Sequence, residues 1–203
     1  MSDVNSEADR IIGLYDRHAQ VWDEGRSRSL FERGWLSRFL DLVPCGASLL
    51  DIGCGSGEPI AGLFIRAGYD LVGVDSSPAM IALCSARHPT NDWHVADMRA
   101  LSLGRTFAGI LAWDSFFHLT QSDQRGMFRL FREHAAPGAA LMFTSGPRDG
   151  VAMGVFGGES LFHASLDPEE YRTLLSVHGF ETIAHVAEDP ATGGHTIWLA
   201  RQK

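Results

Sequence analysis

The sequence predicts an α/β chain built on a doubly wound, mostly parallel sheet. Three observations carry that prediction. From residue 48 onward, short apolar runs alternate with stretches of helical periodicity. The first three apolar runs each end in an acid, at Asp51, Asp75 and Asp97, and the first also opens a glycine loop. The last two runs are joined by a connection too short for a crossover, so they pair antiparallel and leave one strand reversed.

In chain order, residues 7–22 carry Ile11, Ile12, Leu14, Tyr15, Ala19 and Trp22 at helical spacing, and residues 29–42 present Leu30, Phe31, Trp35, Phe39 and Leu40. Together, about 7–42 form a helical cap that Pro44 and Gly46 close. Strands follow at 49–52, 71–74, 93–95, 107–113 and 139–144, with helices near 59–67, 78–87 and 122–134 between them. Pro59 and Pro78 suit first-turn positions, where a missing N–H costs nothing. The insertion 146–166 is glycine-rich yet carries Val151, Met153, Val155, Phe156, Leu161 and Phe162. It predicts a hairpin turning at Gly157-Gly158, and its length favours a lid over a pocket. Asp167-Pro168-Glu169-Glu170 starts a capped helix that runs to about His178. The antiparallel strands 180–187 and 195–201 end the pattern.

At 203 residues and 45% hydrophobic content, the chain is expected to form one domain over 1–203. A net charge of −8 argues against nucleic-acid and anionic-membrane partners. Lys203 is the only lysine, which disfavours Schiff-base chemistry. Cys45, Cys54 and Cys84 show no metal-type pairing, and no His/Cys/Asp cluster has ligand spacing, so no metal is predicted. The polar, acidic opening Met1-Ser2-Asp3-Val4-Asn5-Ser6-Glu7 is not a signal peptide, and no apolar run approaches a membrane span. A soluble, cytoplasmic protein is expected; oligomeric state is not legible.

The segment Asp51-Ile52-Gly53-Cys54-Gly55-Ser56-Gly57-Glu58 identifies the ligand class. Alternate glycines let a ligand approach the backbone closely. Asp51 would repel a phosphate, and Glu58 stands where a dinucleotide fingerprint wants glycine. Asp75, at the end of the second strand, can accept from both hydroxyls of a ribose. Asp97, at the end of the third, can accept from the exocyclic amine of adenine. These positions describe an adenosine with a cationic, phosphate-free tail.

With Val74-Asp75-Ser76-Ser77-Pro78-Ala79-Met80 and Ala96-Asp97-Met98 in order behind the glycine loop, the chain resembles the class I (Rossmann-like) S-adenosylmethionine (SAM) dependent methyltransferases, in their small-molecule branch. Tyr15-Asp16-Arg17-His18-Ala19 and His178-Gly179-Phe180-Glu181 add to the likeness. The resemblance implies seven strands in the order 3-2-1-4-5-7-6, with SAM as cofactor and S-adenosylhomocysteine (SAH) as product. It places the ribose on Asp75, with Ser76 and Met80 in the same motif, and the adenine on Asp97 and the Met98 backbone. Asp51, the loop residues Gly53, Cys54, Gly55 and Ser56, and the Ala112 carbonyl region would position the methionine end. Trp113 and Phe117 would wall the pocket, and Tyr15 would close over it on the N-terminal helix. Trp22 on the same helix is left between core and ligand.

Methyl transfer needs alignment and exclusion of water more than a catalytic triad, and the sequence has no triad. Trp113-Asp114-Ser115-Phe116 stands where amide and nucleobase-amine methylation would use Asn-Pro-Pro-aromatic. Pro44-Cys45 precedes the first strand and reads as structural. His118 is the acid/base candidate; its competing role is a helix-start histidine bonded to backbone. Asp114 would hold an ammonium or a polar acceptor, or else cap the next helix. His163, His195 and Arg148 read as surface or core residues before they read as site residues. The expected function is transfer of the SAM methyl group to an O, N or S atom of a small soluble metabolite. The rivals are a SAM-binding protein without transferase activity, and an enzyme using SAM for cyclisation or non-methyl transfer.

Overall fold

The computed structural model describes residues 4–203, so the first three residues of the polar opening lie outside the described residues. The segment before the sheet is helical: α1 (Val4–Arg17), α2 (Ala19–Gly25) and α3 (Arg33–Leu40). The sheet strands and their connections are β1 (Ser48–Ile52), α4 (Ile60–Arg66), β2 (Asp70–Asp75), α5 (Pro78–Arg87), β3 (Asp92–Val95), β4 (Phe107–Ala112), α6 (Gln121–His134) and β5 (Ala135–Ser145). The chain then leaves the sheet for β6 (Gly150–Phe156) and β7 (Glu159–Ser165), a separate antiparallel pair. It returns through α7 (Pro168–Val177), β8 (Phe180–Asp189) and β9 (His195–Gln202).

The main sheet has the order β3-β2-β1-β4-β5-β9-β8. Counting its seven strands alone, this is 3-2-1-4-5-7-6, as the resemblance implies. β9 pairs antiparallel with both β5 and β8, and the other pairings are parallel. The reversed strand follows from the 190–194 connection, which is too short to cross the sheet.

Both faces of the central strands are buried, so β4 reads as a continuous apolar run rather than an alternating one. Its Ile110 and Ala112 enter one layer, with Phe128 and Phe131 of α6 and Tyr171 of α7. Leu111 and Trp113 enter the other, with Trp35, Leu36 and Phe39 of α3 and Phe64 of α4. Each such side chain, fully buried, contributes about 1.5–3 kcal/mol. A third cluster joins Ala8, Ile11 and Leu14 of α1 to Phe162 and Ala164 of β7. The hairpin is therefore docked on the outer side of the N-terminal helix.

Three local expectations change. The single helix expected over 7–22 breaks at His18, whose backbone leaves helical geometry (φ −109°, ψ 16°). The second begins only at Arg33, because Leu30 adopts a left-handed conformation (φ +52°). Pro59 caps α4 rather than entering it, whereas Pro78 does sit in the first turn of α5. Among the described residues, no helix is long and apolar enough to cross a membrane.

Gly109 and Gly126 should respond oppositely to alanine. A Cβ on Gly109 would meet Leu49 Cδ2 and Phe39 Cζ, each at 2.7 Å, in the closed layer under α3. Gly109→Ala is expected to cost about 1–3 kcal/mol by overpacking. Gly126 lies on the exposed face of α6 with open space around it, and Gly126→Ala should stabilise by about 0.5–1 kcal/mol. Urea unfolding of both variants checks the pair; equal signs would contradict the packing described.

Candidate active site

The carboxyl ends of β1, β2 and β4 open into a cleft with about 810 Å³ of empty space, and α1 forms its other wall. Its lining brings together Tyr15, Gly53, Gly55, Asp75, Ser76, Met80, Asp97, Met98, Asp114 and His118 from the sequence-derived set. A neighbouring cavity of about 390 Å³ adds Asp51, Cys54 and Trp113, and shares Trp22, Gly53 and Asp114 with the first. Ser56, Ala112 and Phe117 lie outside both cavities. The buried Ser56 hydroxyl donates to Asp23 Oδ1 at 2.5 Å, tying the loop to α2. Ala112 is sealed in the core layer over α6, and the Phe117 ring packs on His118 and His163 at 4.8 and 5.1 Å.

The glycine loop is shaped by what surrounds it. Gly53 (φ +76°) would place a Cβ 2.2 Å from that of Ser115, and the Trp22 ring comes within 3.0 Å of the corresponding position on Gly55. The amides of Gly53 and Cys54 both donate to the Val74 carbonyl. Asp75 completes the bridge, accepting from Gly55 N and Ser77 N at 2.9 Å each. Burial pushes its carboxyl up to about 6 despite those amides. Asp51, buried beside it, is pushed up to about 7, first by desolvation and then by the charge of Asp75.

Asp97 is not the free acceptor its position suggests. Arg99 Nε and Nη2 lie 3.0 and 2.7 Å from Asp97 Oδ2, and Nε is 3.1 Å from Oδ1. Burial works to raise the Asp97 pKa, but the Arg99 guanidinium and amide hold it below the ordinary carboxylate range. The same guanidinium donates to Asp9 on α1 at 2.8 Å. The sequence offered no signal for this residue beyond its place two positions after Asp97.

Tyr15 and His118 meet across the cleft, with the phenol oxygen 3.0 Å from Nε2. The other ring nitrogen, Nδ1, lies 2.8 Å from the Phe162 carbonyl of β7 and must donate to it. In the neutral ring Nε2 is therefore an acceptor, and Tyr15 O–H donates to it. Burial pushes His118 down to about 4, against the pull of the Phe162 carbonyl, and burial also holds the Tyr15 phenol well above its ordinary value. With both nitrogens engaged and its charged form disfavoured, His118 does not match the free acid/base expected from sequence. The hairpin reaches the site from behind, through this carbonyl, through His163 against His118 and through Phe156 against Tyr15; none of its residues lines the cleft.

Asp114 turns back on itself (φ +51°), its amide donating to Thr144 Oγ1 at 2.9 Å. Its carboxylate lies 2.9 Å from His195 Nε2. The hydrogen bond that His195 donates to the Asp114 carboxylate raises the His195 pKa against burial, and the ring stacks on Trp113 at 5.5 Å. His195 is thus a partner of the site, brought by β9, although nothing in its sequence surroundings marks it. The half-buried His163 packs on His118, with its pKa lowered by burial, and Arg148 lies exposed away from both cavities.

Asp51 offers a pH test of this electrostatic picture. A folded pKa near 7 lies above the unfolded value of about 3.9, so the folded state binds the proton more tightly. The group's stabilising contribution is full below about 4 and is lost as pH rises through 7. Asp51→Asn should therefore melt at a higher temperature than the parent at pH ~8, with the gap closing toward pH ~4. A gap that does not change with pH would mean that Asp51 titrates normally.

Residues 49–138 match a family model described as "Methyltransferase domain". A dTDP-3-amino-3,4,6-trideoxy-alpha-D-glucopyranose N,N-dimethyltransferase of Streptomyces venezuelae is 31% identical over 134 residues, which are 62% of this chain and 55% of that protein. The chain spans about half the length of that curated relative, 55%, and 39% of a second one from Streptomyces fradiae. Among solved structures, the 1,6-didemethyltoxoflavin-N1-methyltransferase of Burkholderia thailandensis superposes with a TM-score of 0.76 at 14% identity, covering 100% of this chain and 92% of that one. A sugar N-methyltransferase of Streptoalloteichus gives 0.72 at 19% identity, covering 91% and 92%. Residues 49–138 are thus similar to a methyltransferase domain, and the chain as a whole shares the fold of these solved methyltransferases.

Proposed function

We propose that the protein transfers the SAM methyl group to a nitrogen of a small soluble metabolite. The observation that carries this reading is the cleft itself. A half-buried carboxylate, Asp75, ends β2 beside a glycine loop whose Gly53 and Gly55 line the same cleft, and the arginines at the loop, Arg28 and Arg87, are both held by Asp23. These residues fit SAM: Asp75 for the ribose, the Met98 backbone and the remaining lone pairs of Asp97 for the adenine, and Asp51 for the methionine ammonium. When bound, SAM supplies a methyl carbon on a sulfonium, which an acceptor lone pair takes while the S–C electrons remain on sulfur.

The chain's own contribution is to hold, orient and dry the site. His118 Nε2 accepts the hydrogen bond of the Tyr15 hydroxyl, so the phenol oxygen turns lone pairs toward the cleft and can accept an N–H from an acceptor amine. No side chain at the cleft stands ready as a strong base, which suits nitrogen better than a hydroxyl. The N-methyltransferases among the similar proteins support the same choice of atom. α1 serves as the cover and the β6–β7 hairpin as its backing, within one domain. The free thiols of Cys45, Cys54 and Cys84 suit a cytoplasmic setting.

Calorimetric titration tests the reading. SAM and SAH should bind and nicotinamide dinucleotides should not. In Asp75→Ala the ribose hydroxyls lose a charged acceptor, a loss of about 1.5–3 kcal/mol, or roughly one to two orders of magnitude in SAH affinity. A folded Asp75→Ala protein with unchanged affinity would refute the ribose assignment, and NAD binding in place of SAM would refute the function.

A further inference from the structure

Resting on the methyltransferase reading, we infer that the acceptor is a neutral or cationic amine that carries no phosphate, because the arginines lining the cleft and the first turn of α5 are already engaged by carboxylates of the chain itself. A nucleotide-linked or otherwise phosphorylated acceptor is thereby excluded.

Recognition of a diphosphate rests on arginine, lysine or the free amides at a helix N-terminus. Among the described residues lining the two cavities, the arginines are Arg99 and Arg26, and there is no lysine. Arg99 is bound to Asp97 and Asp9, and Asp123 lies 3.7 Å from its Nη1. Arg26 donates to Glu32, a carboxylate with no solvent exposure, and lies over the Phe31 ring at 5.3 Å. Freeing it would strand a buried charge.

The helix ends are closed in the same way. α5 points its first turn at the cleft rim, but Asp16 of α1 accepts from Ala79 N and Ser77 Oγ at 2.9 and 2.8 Å. The first turn of α6 is capped by Thr120, which also donates to Asp123 Oδ2. The amide of Arg99, opening the 98–100 turn, donates to Asp97. An incoming phosphate would have to displace a carboxylate at α5 and at the 98–100 turn, and the Thr120 hydroxyl at α6.

What is left facing the cleft is acidic or neutral. Asp114 is balanced by His195, and Glu58 by Arg66 at 3.0 Å. Asp51 and Asp75 have no cationic partner within salt-bridge distance among the described residues. The Tyr15 oxygen and the Asp114 carboxylate are the acceptors available for N–H groups. An amine forms its N–C bond with its own lone pair as the S–C pair returns to sulfur, and the product ammonium then loses its extra proton to water. An amine that arrives as an ammonium must first give up one proton to water to free that lone pair. A like-charged diphosphate in this surround would be repelled.

The test separates this inference from the cofactor reading. SAH is first titrated into the protein; failure to bind rejects the cofactor reading and leaves no basis for the acceptor. dTDP is then titrated into the SAH-loaded protein. No saturable binding at about 1 mM is expected, whereas saturable binding overturns the inference whether or not any amine reacts. In parallel, 3-amino-3,6-dideoxyglucose is supplied as its methyl glycoside and as its dTDP ester, with SAH release measured. If either is methylated, the phosphate-free form should have the higher kcat/KM by at least about tenfold. A preference for the dTDP ester overturns the inference.

Discussion

The site depends on one carboxylate, that of Asp75. Its two oxygens are held by amides from two different loops, Gly55 after β1 and Ser77 at the start of α5. That bridge sets the spacing of the glycine loop from the second strand end, and so the width of the cleft. The same burial that makes the bridge strong makes the charge costly, which is why Asp75 and its neighbour Asp51 are pushed well above ordinary carboxylate values. A cationic ligand relieves that cost and an anionic one adds to it. The resting protein therefore favours a positively charged group over an anion beside these two carboxylates.

Around this bridge the N-terminal helices are fastened by carboxylates. Asp16 caps α5, Asp9 reaches Arg99, and Asp23 holds Ser56, Arg28 and Arg87 at once. The three bonds to Asp23 drive its pKa far below the ordinary range, with Arg87 the largest contributor. Asp23 thereby fixes Trp22 over Gly55, and Tyr15 is fixed by His118. α1 is also backed by the hairpin, with Tyr15 stacked on Phe156 at 5.7 Å and Arg17 and His18 paired to Glu159. Cover, loop and hairpin form one mechanically linked unit, and the acids that link them also occupy the places where an anion would bind.

Much of the candidate site was legible because its residues sit at fixed offsets from strand ends. Asp51, Asp75 and Asp97 are each recognisable as an acid closing an apolar run, and parallel pairing places such ends along one edge. Tyr15 was legible only through resemblance. Arg99, His195 and the Asp23 network were not, because their partners lie far along the chain and their surroundings carry no periodic or motif signal. The partner of the Ser56 hydroxyl was not legible for the same reason: nothing in a loop motif tells whether a hydroxyl faces a ligand or a second carboxylate behind the loop.

The sequence by itself determined the alternation of strands and helices, the reversed last strand, the glycine loop with its three acids, and the class of ligand they suit. These follow from local rules: period, cap and turn chemistry, and the charge of a side chain at a strand end. Only the tertiary structure decided which polar groups are already spent. It paired Arg99 with Asp97, His195 with Asp114 and Asp16 with the amides of α5, and it held His118 neutral between Tyr15 and a backbone carbonyl. A side chain's chemistry is written in its type, but its availability depends on which distant partner the fold brings within about 3 Å.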